Sequence, residues 1–475
     1  MNAYKTVGIS ENRDKPRVYL QGQFPARAGF LPGVKYDRVK KDDYLFLRIS
    51  EHGQYIVSKK MSSGKEVPVI DINSRDALDI FEGLSTLRVV LKENEIWVMP
   101  TATEKRVQAR TQRLLERLDA DEPLKVGALA YGGGILDHAI HQGLASEGVD
   151  TQLAFANEIR EDLLEHASEH NETFLKDTVA LIAPLQEIAF DKRAMKMVPR
   201  TDILTAGLPC SGASISGTSK LKLKVPEDHP LVGHLVAGAL AFIAEVNPAV
   251  FVLENVPRYA TTGSAGILRN QLRDWGYDVH EREMLGTDFG DLEKRKRWCM
   301  VAVTRGIEFD FDAMMPELFE VRQLSSIMEK PEDVADRWSE MPGLRAKEER
   351  DKEAGKGFAM QLYTGEETSI NTLTKGMQRN RSTDPKIVNA SNPKLLRIPT
   401  AREHARIKGV PEHLIEGLSQ TTAHELLGQG ICVSPFIQVG KHLAKALLRF
   451  RDKARAGVEN TLNAVAAAPK LKVAG

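Results

Sequence analysis

From Leu124 onward the chain alternates short apolar runs with helical stretches, and this rhythm constrains the fold more than any other feature. Val126-Gly127-Ala128-Leu129-Ala130 is the first run, ending in Tyr131-Gly132-Gly133-Gly134. Further runs are Gln152 to Glu158, Asp202 to Ala206, Ala249 to Leu253 and Trp298 to Val303. Helical patterns such as Ile135 to Gln142 and Leu231 to Glu245 lie between them. Strands alternating with helices imply an α/β fold with a mostly parallel, doubly wound sheet, whose ligands gather outside the carboxyl ends of the strands.

The flanks read differently. Arg17 to Leu20, Tyr44 to Ile49, Leu87 to Leu91 and Glu95 to Val98 are β-branched or aromatic runs broken by turn residues, predicting an N-terminal β-rich module over 1–103. No long internal repeat is evident there. A charged helical linker is expected over 104–122, then a catalytic domain over 123–305. Residues 306–395 lose the rhythm, apart from a helix expected near Lys330 to Glu340. Regular pattern returns over 396–452, and the Ala- and Lys-rich tail, 453–475, is expected to fray.

Composition sets limits. Lys plus Arg equals Asp plus Glu, 65 each, so any nucleic-acid surface must be a local patch. Three cysteines, Cys210, Cys299 and Cys432, are too few and too scattered for a disulfide framework or a zinc cluster. No apolar run reaches the ~18 residues of a membrane span, and Met1 to Ser10 lacks a signal-peptide core. An intracellular, cytoplasmic setting is the expectation.

Four segments carry chemistry. The glycine turn before a helix lets backbone approach a ligand closely, and Glu158, ending the next strand, can accept bonds from two ribose hydroxyls. A plain loop and a surface acid remain the alternative. Gly207-Leu208-Pro209-Cys210 follows a strand and places a thiol where ligands bind; the alternative is a buried structural cysteine. Phe251 to Val256 ends a buried strand in Glu254-Asn255; a buried acid there could protonate a ring nitrogen, or Asn255 could cap a helix. Arg295 and Arg297, in an extended stretch, point to one face and could bind a base carbonyl or a phosphate, or form a solvated basic strand.

In this order and spacing the four segments resemble the cytosine-5 DNA methyltransferase family, over about Leu124 to Leu448. The resemblance implies a Rossmann-like class I methyltransferase domain, S-adenosylmethionine as cofactor and double-stranded DNA as partner. It implies that Cys210 attacks carbon 6 of a flipped cytosine, Glu254 serves N3, and Arg295 and Arg297 hold base and phosphate. It assigns Leu129, Tyr131, Gly133, Gly134, Glu158, Ile159, Asp177, Thr178, Pro209 and Leu235 to the cofactor, with Asp177 reading the adenine amine. Residues 306–395 take the place of the target-recognition domain. There Thr372-Leu373 resembles the family's Thr-Leu pair, and Arg379 and Arg381 are types that read bases or phosphates. Ser214, Lys220 and Lys222 lie on a loop that the family closes over DNA. Arg397 to Arg406 resembles the motif that orients the recognition domain, and Leu427 to Pro435 the last motif.

Departures stand out. Gly127, Ala128 and Leu129 replace an Asp-Leu-Phe run, so an aromatic that packs on adenine is missing, with Tyr131 as its expected replacement. Glu293 stands for the glutamine before the arginines, and Ser211 for another glutamine. The N-terminal module resembles, more weakly, the AbrB/SymE swapped-hairpin fold, whose members dimerise and bind DNA; a homodimer through this module is therefore expected. Two rival readings are a DNA-binding regulator on a degenerate methyltransferase scaffold and an RNA cytosine-5 methyltransferase. The intact Cys210, Glu254, Arg295 and Arg297 oppose the first. The absence of cysteine between Cys299 and Cys432 opposes the second.

Overall fold

The computed structural model describes residues 2–209, 212–213 and 222–467. It divides into two compact units, 1–109 and 110–475.

The N-terminal unit is built from two similar halves. The first runs β1 (Ala3–Gly8), β2 (Ser10–Asn12), β3 (Lys15–Gln21), α1 (Gln23–Ala26), β4 (Lys35–Lys40) and β5 (Leu45–Ile49). The second runs β6 (Tyr55–Ile56), β7 (Ser58–Ser62), β8 (Lys65–Asn73), α2 (Arg75–Leu78), β9 (Thr86–Lys92) and β10 (Glu95–Pro100). Element follows element in the same order, so the unit is an internal duplication that the sequence did not reveal. The sheets make the symmetry explicit. One has strand order β1-β9-β10-β5-β4-β6 and the other β2-β3-β8-β7, and each reads the same from either end when the halves are exchanged. The first strand of each half pairs with the fourth strand of the other. Inward-facing Val18, Leu20, Ile70, Ile72, Leu87, Val89, Ile96 and Val98 close one core between the sheets. Each half of the module thus finds its pairing strands within the same chain.

The second unit begins within α3 (Ala102–Asp119). Its centre is a seven-stranded sheet of β11 (Leu124–Leu129), β12 (Thr151–Glu158), β13 (Val179–Ile182), β14 (Ile203–Ala206), β15 (Val250–Asn255), β16 (Tyr277–Leu285) and β18 (Lys296–Thr304). A separate two-residue strand, β17 (Glu293–Lys294), precedes the last of these. The order is β13-β12-β11-β14-β15-β18-β16, parallel except for β18. This is the Rossmann-like arrangement the rhythm predicted. Each strand sends alternate residues to opposite faces. Val126, Ala128, Ile203, Val250, Val252 and Val301 enter one core, and Leu129, Leu204, Phe251, Leu253 and Met300 the other.

Helices α4 (Ile135–Ala145), α5 (Glu161–His170), α6 (Leu185–Phe190), α7 (Lys192–Met197), α8 (Leu235–Val246) and α9 (Gly263–Asp274) connect the strands. In place of the helix expected near 330–340 there is a 3-10 stretch, Pro331–Arg337, and then α10 (Pro342–Glu353), which opens on a proline at its first turn. Strands β19 (Leu362–Tyr363), β20 (Ile370–Asn371), β21 (Lys386–Val388) and β22 (Leu396–Arg397) complete this irregular region. The chain returns through α11 (Ala401–Ile407), α12 (Gln420–Gln429) and α13 (Val433–Ala467). The last helix lies against α4, where Gly143 meets Gly440 so closely that a Cβ on either would overlap the other helix's backbone. No helix among the described residues is long and apolar enough to cross a membrane.

Candidate active site

The sheet order reverses between β11 and β14, so the turns leaving these strands open a crevice at their carboxyl ends. The glycine turn leaves β11. Gly132 takes a positive φ of 59° and a Cβ there would meet nothing within 4 Å, so the turn faces open space. Gly133 and Gly134 are fixed from behind: a Cβ would run into Leu426 in one case and into Tyr131 and Asn171 in the other. Glu158, ending β12, accepts from the Gly132 amide at 2.8 Å, which brings its carboxylate to the turn. Ile159 beside it is 65% exposed, an apolar side chain with no core to enter. Leu235, at the start of α8, is partly buried against the second core.

Several expected donor contacts fall elsewhere. Leu129 is buried in the sheet. Tyr131 turns inward, its hydroxyl 3.1 Å from Thr173 Oγ1 and its ring against Phe174, so it offers no face to an adenine. Asp177 and Thr178 precede β13 and lie at its amino end. The level of Glu158 is reached only at Ile182, about 16 Å further along the strand. Asp177 instead accepts from Gln152 Nε2 at 2.6 Å, and Thr178 donates to the Leu153 carbonyl at 2.8 Å. Ile182, Ala183 and Pro184 stand where an acid would have to read the amine. The glycine turn, Glu158, Ile159 and Leu235 fit a nucleoside-bearing donor; the acid assigned to its amine does not.

The second turn leaves β14 through Gly207, Leu208 and an exposed Pro209. Cys210, Ser214 and Lys220 lie outside the described residues. Lys222, at the far end of that loop, is exposed. Neighbouring β15 presents Glu254, which bonds Arg297 Nε at 2.8 Å, with side-chain exposures of 12% and 14%. Burial pushes the Glu254 carboxyl up, against the opposing pull of Arg297, Arg295 and Lys408. Asn255 caps no helix. Its Nδ2 donates to the Leu208 carbonyl at 3.0 Å, tying the acid's strand to the segment that leads into Cys210.

The two arginines do not share a face. The strand breaks between β17 and β18, and the Arg295 amide folds back onto the Glu293 carbonyl at 2.7 Å. Arg297 then runs with β18 toward Glu254. Arg295, 3% exposed, turns away and donates to the carbonyls of Gly428 at 2.8 Å and Leu373 at 3.5 Å. In this arrangement its side chain is a structural clamp, its guanidinium taken up by two backbone carbonyls and Glu293.

In the irregular region, Leu373 is fully buried and Thr372 Oγ1 donates to the Lys294 carbonyl at 3.0 Å. Leu373 is therefore an anchor, with no surface for DNA. Arg379 and Arg381 are exposed on a loop wound around Asp384 and buried Lys386. Asp384 accepts from the Arg381 amide at 2.9 Å, and Lys386 Nζ donates to the carbonyls of Arg381 and Asp384, both at 2.9 Å. A buried bidentate pair, Arg397 with Glu403 at 2.6 and 2.7 Å, sits under a capping box at Thr400. Sequence reasoning missed the fully buried Lys408, which pairs with Glu293. Its one signal was a lysine between a core isoleucine, Ile407, and Gly409.

A reversed-order α/β sheet, a glycine turn under a strand-end glutamate and a buried acid at the end of the neighbouring strand define the class: a nucleoside-cofactor methyltransferase scaffold. Residues 134–448 match the model of the C-5 cytosine-specific DNA methylase family, and the chain belongs to that family. S-adenosylmethionine is the family's methyl donor. Among its relatives, the type II methyltransferase M1.ScrFI of Lactococcus lactis subsp. cremoris is 28% identical over 53% of this chain and 64% of its own length. M.HhaI of Haemophilus parahaemolyticus is 25% identical over 53% of this chain and 78% of its own. In fold the chain is similar to the S. pombe Dnmt2 methyltransferase, with a TM-score of 0.53 and 19% identity over 69% of this chain and 99% of that one.

Proposed function

We propose that this protein methylates carbon 5 of cytosine in duplex DNA, with Cys210 as nucleophile and Glu254 as the acid. The observation that carries the reading is the Glu254–Arg297 pair at the end of β15, joined through Asn255 to the turn that leads into Cys210. The other two cysteines support it by elimination: Cys299 and Cys432 are buried, and burial pushes both thiols up.

The Cys210 thiolate adds to carbon 6 of an extruded cytosine. Glu254, whose carboxyl burial pushes up, donates a proton to N3 and so neutralises the charge that addition drives into the ring. Arg297 holds the acid's carboxyl and fixes its direction. The glycine turn and Glu158 would hold the donor, which would supply an electrophilic methyl group for carbon 5 to accept. Loss of the carbon 5 proton to water then expels the thiolate, and return of the N3 proton to Glu254 restores both the ring and the acid. Extruding the base costs a few kcal/mol, offset by the pocket. Exposed Lys222, Arg379 and Arg381 are cations that could meet the phosphates. Thr372 belongs to the same segment, at its seat on Lys294.

The test is adduct formation. With methyl donor and duplex DNA containing 5-fluorocytosine, the protein should form a denaturation-resistant complex that Cys210→Ala abolishes. A chain that binds the donor yet forms no adduct on DNA rich in known methylation sites would overturn the enzymatic reading in favour of a regulator.

A further inference from the structure

The crevice accounts for Glu254 and Arg297 but leaves an ion pair unexplained behind them. Glu293 and Lys408 are both fully buried, with Nζ 2.7 Å from Oε2. The other carboxylate oxygen accepts from the Leu373 amide at 2.7 Å. Cys432 Sγ lies 3.5 Å from Oε2, and Lys408 Nζ also reaches the Gly430 carbonyl at 3.4 Å. One carboxylate therefore gathers segments separated by 80, 115 and 139 residues.

The place where they meet is the entry of the irregular region into the catalytic unit. There β20 joins β17 by only two residue pairs, Glu293 with Ile370 and Lys294 with Asn371. So short a ladder specifies its register weakly by itself. Around it the packing leaves no slack: Gly428 lies so close to Lys375 that a Cβ would overlap its backbone. Arg295 clamps Leu373 and Gly428 from the other side. Two residues further along the strand, Arg297 meets Glu254. Burying two full charges carries a desolvation cost that well-packed neutral side chains of the same shape would avoid. Stability alone does not explain the pair, whereas a charge-assisted bond to one backbone amide defines a position sharply.

We propose that Glu293 and Lys408 are positioning residues that set the recognition segment, through Leu373, in register with the strand carrying Arg297. The proposal rests on the methyltransferase reading for its catalytic consequence, but not for its structural one. The single variant Glu293→Gln strands the Lys408 ammonium, Lys408→Gln leaves the carboxylate to the Leu373 amide and to Arg295 at 3.5 Å, and the double variant leaves two amides that can bond each other and Leu373.

The test uses the full chain and unmethylated phage lambda DNA. In Glu293→Gln, the KM for DNA should rise roughly tenfold or more and bisulfite sequencing should show methylation spreading to near-cognate sites, as misplacement by about 1 Å would cause. The kcat at saturating DNA and the Kd for S-adenosylhomocysteine should hold within about twofold, and the double variant should restore both KM and fidelity. Amide exchange over 370–376 should quicken in either single variant and recover in the double. Unchanged KM, fidelity and exchange in the single variants, or a double variant that binds S-adenosylhomocysteine but recovers nothing, would overturn the proposal. Absence of methylation by the unaltered chain would remove the enzymatic reading instead, and exchange over 370–376 would still decide whether the pair seats the segment.

Discussion

Glu254 shows how much one residue's setting decides. Its carboxyl is lifted by burial, against the pull of the Arg297 guanidinium that holds it at 2.8 Å. Glu254→Gln should lower kcat by ~10²–10⁴-fold, the range of general-acid contributions, while a filter-binding assay finds DNA affinity nearly unchanged. A second buried acid has no part in this chemistry. Asp137, beneath the glycine turn, receives the Thr205 hydroxyl at 2.6 Å, and burial pushes it up to about 7. The folded chain keeps a proton there that the unfolded chain releases near ~3.9. The linked stability is thus fully present below pH ~4 and is lost as pH rises through about 7. Asp137→Asn does not titrate, so its urea midpoint should gain on the unaltered protein steadily from pH 4 to 7 and hold level above. A constant difference across that range would show that the acid is ionised inside the fold. The sequence made Glu254 and the glycine turn legible as strand-end features because strand ends carry local signatures. It hid the direction of Arg295, because the break after Lys294 depends on β20, which lies some eighty residues further on. Asp177 misled for a related reason: the chain alone does not say at which end of a short strand an acid sits.

At the scale of elements, the α4–α13 crossing is a close contact with no room for a side chain. Gly143→Ala would drive a methyl group into the Ile437 carbonyl, and the helices must part to admit it. The expected cost is ~1–3 kcal/mol by chemical denaturation, the usual range for overpacking. A change of under ~0.5 kcal/mol would mean that the crossing yields freely. The Arg397–Glu403 pair makes a second case. Glu403 receives both guanidinium nitrogens and the amides of Thr400 and Glu329, so Glu403→Ala strands a buried cation and should cost ~3–5 kcal/mol in the same measurement. The strand–helix rhythm foretold the central sheet because buried parallel strands are continuously apolar. It failed for Lys35–Lys40 and Ser58–Ser62, strands so polar that only their pairing reveals them.

For the molecule as a whole, the internal duplication carries the main prediction. Neither half of the N-terminal unit owns a complete sheet, since each sheet draws strands from both. Residues 1–109 expressed alone should sediment as a folded monomer, whereas 1–50 alone should show no cooperative melt. A dimer of the 1–109 fragment would show that the halves prefer partners outside the chain. The repeat escaped the sequence because its halves share strand order and few residues. Tyr19 faces Asp71 and Phe46 faces Trp97 at the midpoints of the two central strand pairs. In an assembly of identical copies, positions on the axis must confront their own kind, tyrosine with tyrosine or aspartate with aspartate. Joined head to tail in a single polypeptide, the halves are released from self-complementarity. Arg17 can then reach across to Asp71 at 2.8 Å while the mirror-image site holds Val69 and Tyr19. The outcome is an object with the frame of a twofold and two unlike faces, each open to separate selection.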